Sequence, residues 1–385
     1  MRPAISRKLV PFGTTIFTEI TQLAIEHGAV NLAQGFPDFD GPPFVKDAAI
    51  TAIQEGRGQY ARMTGTPDLH LSLAAKYRLG YGLDYEADKE FTVTSGATEA
   101  IFATIQGISN AGDEIVLFEP YYDSYPAAVA MAGAVARYVT LRAPDWSFDR
   151  KAFEKAVTKK TRAILLNTPH NPTGKVFSRE ELEFLAGVCR DRDLLCITDE
   201  VYEHLVYDGA HLPMAKLPGM RERTITISSF GKTFSLTGWK IGWAAAPAKL
   251  SAAVRAAHQF ITFATAKPLQ HGAAVALASG PNYYELLNAS YRRRRDYLVR
   301  ELTRIGFVVR PPAGTYYVCA DFTPFGFKDD VTFCRHLVEK IGVAAIPPTA
   351  FYKNKRHGKK YARFAFCKKD ETLETAVARL KKLCD

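Results

Sequence analysis

The chain has 385 residues, which is long enough to bury a large core and to form two domains. Hydrophobic residues make up 47% of it and charged residues 23%, the composition of an ordinary globular protein. The net charge of +10 would suit a nucleic acid or an anionic membrane, but no nucleic-acid-binding motif accompanies the basic residues. We interpret the two basic runs, residues 292–295 and 353–360, as solvated surface and expect neither a nucleic-acid nor a membrane partner.

The six cysteines include no Cys-x-x-Cys pair, and several lie in apolar runs such as residues 194–197. This pattern indicates buried thiols in a reducing compartment, and it gives no sign of a disulfide framework or a zinc site. The N-terminus lacks the apolar core of a signal sequence, and no apolar run is long enough to span a bilayer. We therefore expect a cytoplasmic protein with no bound metal.

The N-terminal part of the chain combines predicted helices with irregular segments. One helical pattern covers Ile16 to His27, and residues 31–43 are rich in Gly, Pro and Asp and should be irregular. Two further helices are predicted, from Phe44 to about Gln54 and from about Asp68 to Gly80, on either side of a loop that carries Tyr60.

From residue 90 onwards, predicted strands alternate with predicted helices. The strands are residues 91–94, 114–118, 135–141, 163–167, 194–198, 224–227 and 241–245. The helices are residues 99–109, 125–133, 150–157 and 178–192, the last of which begins with a capping box, Ser178 with Glu181. This alternation predicts an α/β domain whose seven-stranded, mostly parallel sheet is covered by helices on both faces. Ligands of such sheets bind beyond the carboxyl ends of the strands.

After about residue 284 the order of elements changes to that of a smaller α+β domain. The predicted elements are a helix at 284–304, strands at 307–310 and 316–320, a helix at 331–340, strands near Val343 and at 361–366, and a last helix from Glu371 with Asp370 as its N-cap. We expect residues 1–45 to form an N-terminal arm and part of the small domain, 46–284 the large domain, and 285–385 the small domain.

Lys232 follows the predicted strand at residues 224–227, where serine, glycine and threonine end the apolar pattern, so we expect it on a strand-end loop. Desolvation and a second cation both lower the pKa of an ammonium group, and a Schiff base requires the neutral amine. Lys240 could be that cation or could bind a phosphate, as could the hydroxyls of Ser229 and Ser235. The alternative is a solvated loop with two ordinary surface lysines.

Other strand ends also carry polar or aromatic side chains. Residues 95–98 would place free N–H groups and a hydroxyl at a helix N-terminus, which suits an anion. Tyr122 follows the next strand and offers an aromatic face for a planar ring, unless it is simple packing. Asn171 lies in a short loop, residues 167–174, that two X-Pro bonds stiffen.

Asp199 stands at the tip of the apolar strand 194–198, where a carboxylate is costly unless it is paired. Tyr202 comes three residues later and lies on the same side if a helical turn begins there. The structural alternative for Asp199 is the N-cap of that turn.

These features occur in a fixed order, and the lysine segment reads Ser-x-x-Lys-x-x-Ser-x-x-Gly-x-(Lys/Arg)-x-Gly. Over nearly its whole length the chain resembles the fold-type I, class I aminotransferases, which use pyridoxal 5′-phosphate. The resemblance implies that Lys232 forms a Schiff base with the cofactor and moves the substrate α-proton, and that residues 46–284 bind the cofactor. It also implies that Asp199 keeps the pyridine nitrogen protonated, and that Asn171 and Tyr202 contact the ring oxygen.

The resemblance extends to the phosphate and the substrate. The residues it assigns to the phosphate are Ala97, Thr98, Ser229, Lys240 and Tyr60 of the partner subunit, while Tyr122 stacks on the ring. Arg363 matches the arginine that binds the substrate α-carboxylate, and Gly35 and Asn171 fall in segments that contact the substrate. A homodimer that acts on amino acids and 2-oxo acids is implied.

Within the class, residues 34–39 and 95–100 look most like the kynurenine/glutamine and methionine aminotransferases. Phe17, at an aromatic lid position of that subgroup, implies a pocket for an aromatic, methionine, glutamine or kynurenine side chain. Thr98 stands where aspartate-specific relatives often carry a basic residue, which weakens the aspartate alternative without excluding it.

Two other functions stay open at this point. The same residues can support a cysteine-S-conjugate or cystathionine β-lyase, since the fold does not fix the reaction. A transcription regulator with an aminotransferase-like domain would need a DNA-binding module, and we expect no room for one before Asn31.

Overall fold

The computed structural model describes residues 4–384. Its helices are α1 (Ile16–Glu26), α2 (Pro43–Gln54), α3 (Pro67–Tyr81), α4 (Ala87–Glu90), α5 (Gly96–Ile108), α6 (Ser124–Met131), α7 (Arg150–Ala156), α8 (Arg179–Asp191), α9 (Phe230–Thr233), α10 (Ala248–Ile261), α11 (Lys267–Leu277), α12 (Pro281–Ile305), α13 (Asp330–His336) and α14 (Asp370–Leu380). Its strands are β1 (Val30–Asn31), β2 (Phe91–Ser95), β3 (Glu114–Glu119), β4 (Val135–Thr140), β5 (Thr161–Asn167), β6 (Leu195–Asp199), β7 (Thr224–Ser229), β8 (Ile241–Ala245), β9 (Val308–Val309), β10 (Tyr317–Asp321), β11 (Val343–Ala344) and β12 (Tyr361–Ala365).

The predicted α/β architecture is confirmed. A seven-stranded sheet has the order β2-β8-β7-β6-β5-β3-β4, in which β8 runs antiparallel to both of its neighbours and the other neighbouring pairs are parallel. Because β5, β6 and β7 are parallel, their carboxyl ends meet at one edge, where Asn167 pairs with Asp199 in register. The residues predicted at strand ends are therefore brought to one side of the sheet.

Helices cover both faces of this sheet because successive side chains of each strand point to opposite faces. On β6, Ile197 packs with residues of α5, α6 and α10, whereas Cys196 packs with residues of α7 and α8 on the other face. Strands buried on both faces explain why β5 and β6 read as nearly continuous apolar runs. In β7, Thr and Ile alternate before two serines, yet every residue of the strand is buried.

The C-terminal part of the chain packs around a second core. Strands β12, β10 and β9 form an antiparallel sheet, and aromatic residues such as Phe322 and Phe333 stack beneath it with ring centres 4.3 Å apart. The N-terminal segment joins this part, since β1 pairs in parallel with β11 and α1 packs near it. The division at residues 45 and 284 stays a prediction.

Two local expectations about helix ends and loops were wrong. Lys232 lies in the one-turn helix α9 instead of a loop, because Phe230 and Phe234 stack across that turn with ring centres 4.8 Å apart. Asp370 is the first residue of α14 and not its N-cap. The N-cap is Lys369, whose N–H donates to the Asp38 carboxylate at 2.6 Å.

The basic run at 292–295 is only partly solvated. Arg295 is buried, its guanidinium lies 4.7 Å from the ring centre of Tyr207, and its Nη1 donates to the Pro312 carbonyl at 3.1 Å. The helical period turns Arg295 toward the core while Arg293 stays exposed. The second basic run is exposed except for Gly358, as expected. Among the helices of residues 4–384, none is long and apolar enough to cross a membrane.

Candidate active site

A cavity of about 450 Å³ opens at the carboxyl ends of β5, β6 and β7. All of the predicted site residues line it except Arg363, which lies behind its wall, and Tyr60, which points elsewhere. The predicted residues on its wall are Phe17, Gly35, Ala97, Thr98, Tyr122, Asn171, Asp199, Tyr202, Ser229, Lys232 and Lys240.

Lys232 presents its amine to this cavity from α9. Its Nζ lies 6.0 Å from the ring centre of Tyr202 and 5.9 Å from that of Tyr316, so aromatic surface replaces much of its water. Burial lowers the pKa of the Lys232 ammonium below its ordinary value, and the positive charge of Lys240 lowers it further, while Asp199 acts in the opposite direction. The lysine is thereby prepared to act as a neutral amine.

Asp199 is buried at the end of β6 and accepts two hydrogen bonds. The Tyr125 hydroxyl donates to Oδ2 at 2.7 Å, and the Val201 N–H donates to Oδ1 at 3.3 Å. Burial raises the pKa of Asp199 to about 6, although both of these hydrogen bonds lower it. The carboxylate keeps unused lone pairs on a wall of the cavity, which suits a cationic ligand atom.

Asn167, at the end of β5, fixes the loop that carries Asn171. Its Nδ2 donates to the Asp199 carbonyl at 2.8 Å, and its Oδ1 accepts the Asn171 N–H at 2.7 Å. One side chain therefore ties two neighbouring strand ends together and sets the position of Asn171.

Arg363 lies behind the cavity wall, on β12, and is fully buried. Its Nη1 donates to Asn171 Oδ1 at 3.0 Å, and its Nη2 donates to the Ala33 carbonyl at 2.7 Å. The guanidinium carbon lies 4.2 Å from the ring centre of Tyr317 and 5.2 Å from that of Phe17. Nε of Arg363 has no partner among the described residues, so a buried cation is left with an unused donor beside the cavity.

Gly35 and Tyr317 meet so closely that a side chain at position 35 would displace the Tyr317 ring. A Cβ there would lie 1.7 Å from the Tyr317 hydroxyl oxygen. The Gly35 carbonyl accepts a 2.7 Å hydrogen bond from Tyr316, and the Tyr202 hydroxyl donates to that of Tyr317 at 3.3 Å. A tyrosine cluster thus connects the N-terminal segment to the turn that follows β6.

An anion-binding corner lies at the N-terminus of α5. Gly96 has φ of +74°, and a Cβ built on it would lie 3.2 Å from Lys240 Nζ, which places that ammonium beside the first turn of the helix. Ala97 and Thr98 follow in the same turn, and Ser229 ends β7 next to it. The corner combines free helix N–H groups, two hydroxyls and a cation.

Tyr60 does not reach the cavity of its own chain. It is 84% exposed, and its ring packs edge-to-face against Phe263 with the centres 5.6 Å apart. Phe260 and Ile261 are exposed in the same region of the chain, at the end of α10.

The sequence patterns missed several residues of the cavity. Tyr125 and Asn167 were placed on their elements without a role, and Tyr317 was taken as an ordinary strand residue. Asp123 also lines the cavity and makes no helix-capping hydrogen bond. Burial raises the pKa of Asp123, although the positive charge of Arg363 lowers it. The local pattern gave no signal for Tyr125, because Tyr122, three residues earlier, precedes α6 and does not share a helix face with it.

The sequence model of the family "Aminotransferase class I and II" matches residues 27–380. The chain belongs to this family. Class I aminotransferases of this fold use pyridoxal phosphate, and the chain is accordingly a pyridoxal-phosphate-dependent aminotransferase that acts on amino acids and 2-oxo acids.

Three curated relatives of this aminotransferase show how widely the similarity extends. The probable N-succinyldiaminopimelate aminotransferase DapC of Mycobacterium tuberculosis strain H37Rv is 47% identical, with 98% of each chain covered. The methionine aminotransferase of Escherichia coli K12 is 40% identical, covering 98% of this chain and 97% of the relative. The kynurenine–oxoglutarate transaminase of Dictyostelium discoideum is 38% identical, covering 98% of this chain and 96% of the relative. The solved structure of the M. tuberculosis N-succinyldiaminopimelate aminotransferase superimposes with a TM-score of 0.96 over 99% of this chain and 100% of that one, at 48% identity.

Proposed function

We propose that this aminotransferase takes its amino group from an L-amino acid with an uncharged side chain, of the aromatic, methionine, glutamine or kynurenine type, and gives it to a 2-oxo acid. The observation that carries this proposal is the charge of the cavity wall. Among the described residues that line the cavity, the cations are Lys232 and Lys240, and both face the end where the cofactor would bind.

The cavity fits the cofactor. Asp199 has unused lone pairs for a protonated ring nitrogen, the corner at α5 suits a phosphate, and Lys232 has a lowered pKa. When bound, pyridoxal phosphate supplies a conjugated ring that accepts the electron pair left after a proton departs from the substrate Cα.

Each residue then has a definite task. Lys232 Nζ would hold the cofactor and would carry the proton at the substrate Cα as a general acid–base. Asp199 would hold the proton on the ring nitrogen, and the hydrogen bond from Tyr125 orients Asp199 and favours its ionised form. The residues that would touch the rest of the ring are Tyr122 on its face and Asn171 and Tyr202 near its oxygen.

The phosphate would lie at the corner formed by Ala97, Thr98, Ser229 and Lys240. We propose that Tyr60 of the partner subunit completes this corner in a homodimer, since Tyr60 cannot reach the cavity of its own chain. The exposed aromatic residues Tyr60, Phe260 and Phe263 support this proposal, because an exposed apolar patch is typical of an interface. Sedimentation of a Tyr60→Asp variant as a monomer would support the dimer, and an unchanged sedimentation coefficient would argue against it. The cytoplasmic location stays a prediction.

The substrate α-carboxylate would bind Arg363, whose Nε lacks a partner, and the backbone at Gly35. This contact is common to all donors, so donor preference must come from the rest of the pocket. Phe17, Phe36 and Tyr122 give that pocket aromatic walls, and Asp123 adds a carboxylate. A second carboxylate on the donor would meet no lining cation there and would be repelled by Asp123.

The similarity to the M. tuberculosis enzyme favours N-succinyldiaminopimelate as a second candidate donor. That compound carries two carboxylates besides the one next to its reacting amine, so it would need cations that the described wall of one chain does not supply.

The test is kcat/KM for phenylalanine, methionine, glutamine, kynurenine, aspartate and N-succinyldiaminopimelate with one shared 2-oxo acid. A missing charge partner should cost the donors with additional carboxylates, aspartate and N-succinyldiaminopimelate, about 10²- to 10³-fold in kcat/KM. If aspartate or N-succinyldiaminopimelate gives the highest value, the donor assignment is wrong while the aminotransferase assignment stands.

A further inference from the structure

A buried carboxylate and a buried histidine lie directly behind the anion-binding corner, and neither lines the cavity. Glu99 is in the first turn of α5, and His258 is in the last turn of α10. Both are buried, and Glu99 Oε1 contacts His258 Nδ1. Glu99 Oε2 accepts the N–H of Ser95, the residue that precedes α5.

The second ring nitrogen of His258 also faces an oxygen. Nε2 lies 2.9 Å from the Met63 carbonyl oxygen, in the loop that carries Tyr60. A carbonyl can only accept, so Nε2 must carry a proton. The contact between Nδ1 and Glu99 then requires one more proton, which sits on either the nitrogen or the oxygen. In both arrangements the Glu99–His258 pair has no net charge.

The position of Glu99 makes this neutrality important. Its carboxylate lies at the same helix end that would hold the cofactor phosphate, and both groups are anions. Like charges interact strongly in a buried site, where water and salt screen them little. A charged Glu99 without His258 would therefore repel the phosphate from the corner at Ala97 and Thr98.

We propose that His258 is a positioning residue that cancels the charge of Glu99 and so keeps the N-terminus of α5 able to bind a phosphate dianion. Its other N–H fixes the Met63 carbonyl and with it the loop that bears Tyr60. The inference rests on the proposed phosphate site, and the experiment distinguishes the failure of one from the failure of the other.

The chain contains a matched control for the purely structural effect of losing such a histidine. His70 on α3 is also fully buried, and its Nε2 lies 2.8 Å from the carbonyl oxygen of Thr64, the residue next to Met63. His70 anchors the same loop but has no hydrogen bond to Glu99. A variant at His70 therefore loses loop anchoring without exposing the Glu99 charge.

The experiment is a titration of the full-length apoprotein with pyridoxal 5′-phosphate and, separately, with pyridoxal, which lacks the phosphate. The variants are His258→Asn, Glu99→Gln, the double variant and His70→Asn. The amide that replaces the imidazole in His258→Asn is uncharged and cannot cancel the charge of Glu99. This variant should therefore raise the Kd for pyridoxal phosphate by about tenfold or more and change the Kd for pyridoxal by less than about twofold.

Removing the charge of Glu99 should abolish the loss of affinity for pyridoxal phosphate that His258→Asn causes. Glu99→Gln should bind pyridoxal phosphate at least as tightly as the native chain, and the double variant should return to within about threefold of the native Kd. His70→Asn should change the ratio of the two Kd values far less than His258→Asn does.

The inference would be overturned, leaving only a structural role, if His258→Asn lost affinity equally for pyridoxal phosphate and pyridoxal. A double variant that binds pyridoxal phosphate more weakly than His258→Asn would overturn it too. If His258→Asn does not fold, weaker binding of pyridoxal phosphate alone by Glu99→Gln would overturn it as well. A native chain that binds pyridoxal as tightly as pyridoxal phosphate would instead refute the phosphate site itself.

Discussion

The hydroxyl of Tyr125 donates a 2.7 Å hydrogen bond to Asp199 Oδ2 across the base of the cavity. Tyr125 comes from α6 and Asp199 from the end of β6, so the bond joins a covering helix to the central strand of the site. It stabilises the ionised form of a carboxylate whose pKa burial raises to about 6.

Replacing Tyr125 with phenylalanine should raise the pKa of Asp199 in the apoprotein further. A hydrogen bond to a charged group is worth about 1.5–3 kcal/mol, which corresponds to about one to two pKa units. The measurement is an NMR titration of ¹³C-labelled aspartate. Tyr121→Phe is the control, because Tyr121 packs on Tyr138 and does not bond Asp199. An Asp199 pKa that is unchanged in Tyr125→Phe would contradict this account of the hydrogen bond.

Asp199→Asn should destroy turnover while keeping the shape of the site. Asparagine can still accept the Tyr125 hydrogen bond, but it cannot stabilise a positive ring nitrogen. Removing one partner of a buried charge pair costs about 3–5 kcal/mol, so kcat should fall by about 10²- to 10³-fold or more. Near-normal kcat in Asp199→Asn would show that the residue only caps the turn after β6.

The same substitution should stabilise the apoprotein, in the opposite direction to its effect on catalysis. The pKa of Asp199 is raised from 3.8 to about 6, so the native state binds the extra proton between these values and loses stability as the pH rises through them. At neutral pH this amounts to about 3 kcal/mol, which asparagine would not lose. Urea unfolding should give both apoproteins the same free energy of unfolding near pH 3.8. Up to about pH 6, the free energy of unfolding of the Asp199→Asn variant should increasingly exceed that of the native chain. A difference in the free energy of unfolding that stays constant across this pH range would contradict the coupling between Asp199 protonation and stability.

Arg363→Lys should raise KM for every amino donor, because a lysine cannot keep the contacts to Asn171 and Ala33 and still present a donor to the substrate. Losing these charge-assisted bonds should lower kcat/KM by about 10²-fold with all donors alike. Arg295→Lys is the matched control, since Arg295 is a buried arginine that lies against Tyr207 outside the cavity wall. A loss confined to one class of donor would assign Arg363 to the side-chain pocket instead.

The sequence predicted the sheet and most of the cavity because both follow from local patterns. Apolar runs that end in polar residues place Asp199 and Asn171 at strand ends, and parallel strands bring those ends together. Lys232 and Lys240 were predicted from one short sequence motif. Lys232 lies in the single turn of α9, and Lys240 immediately precedes β8.

Tertiary contacts could not be predicted in this way. The partner of Asp199 comes from α6, 74 residues earlier in the chain, and nothing in the local pattern around Tyr125 indicates that contact. The start of α14 depends on Asp38, which binds the Lys369 N–H from the other end of the chain. Arg295 read as surface because its run is basic, yet Tyr207 and the Pro312 carbonyl give it buried partners.

The most direct test of the account is to locate the cofactor on the chain. The purified protein should be reduced with borohydride, digested, and its peptides mapped by mass spectrometry. The reduced cofactor should be found on Lys232 alone, and Lys232→Ala should keep the native circular dichroism spectrum but have no measurable turnover. Cofactor fixed to Lys240 or to any other lysine, or full turnover in Lys232→Ala, would contradict the assignment of this cavity as the active site.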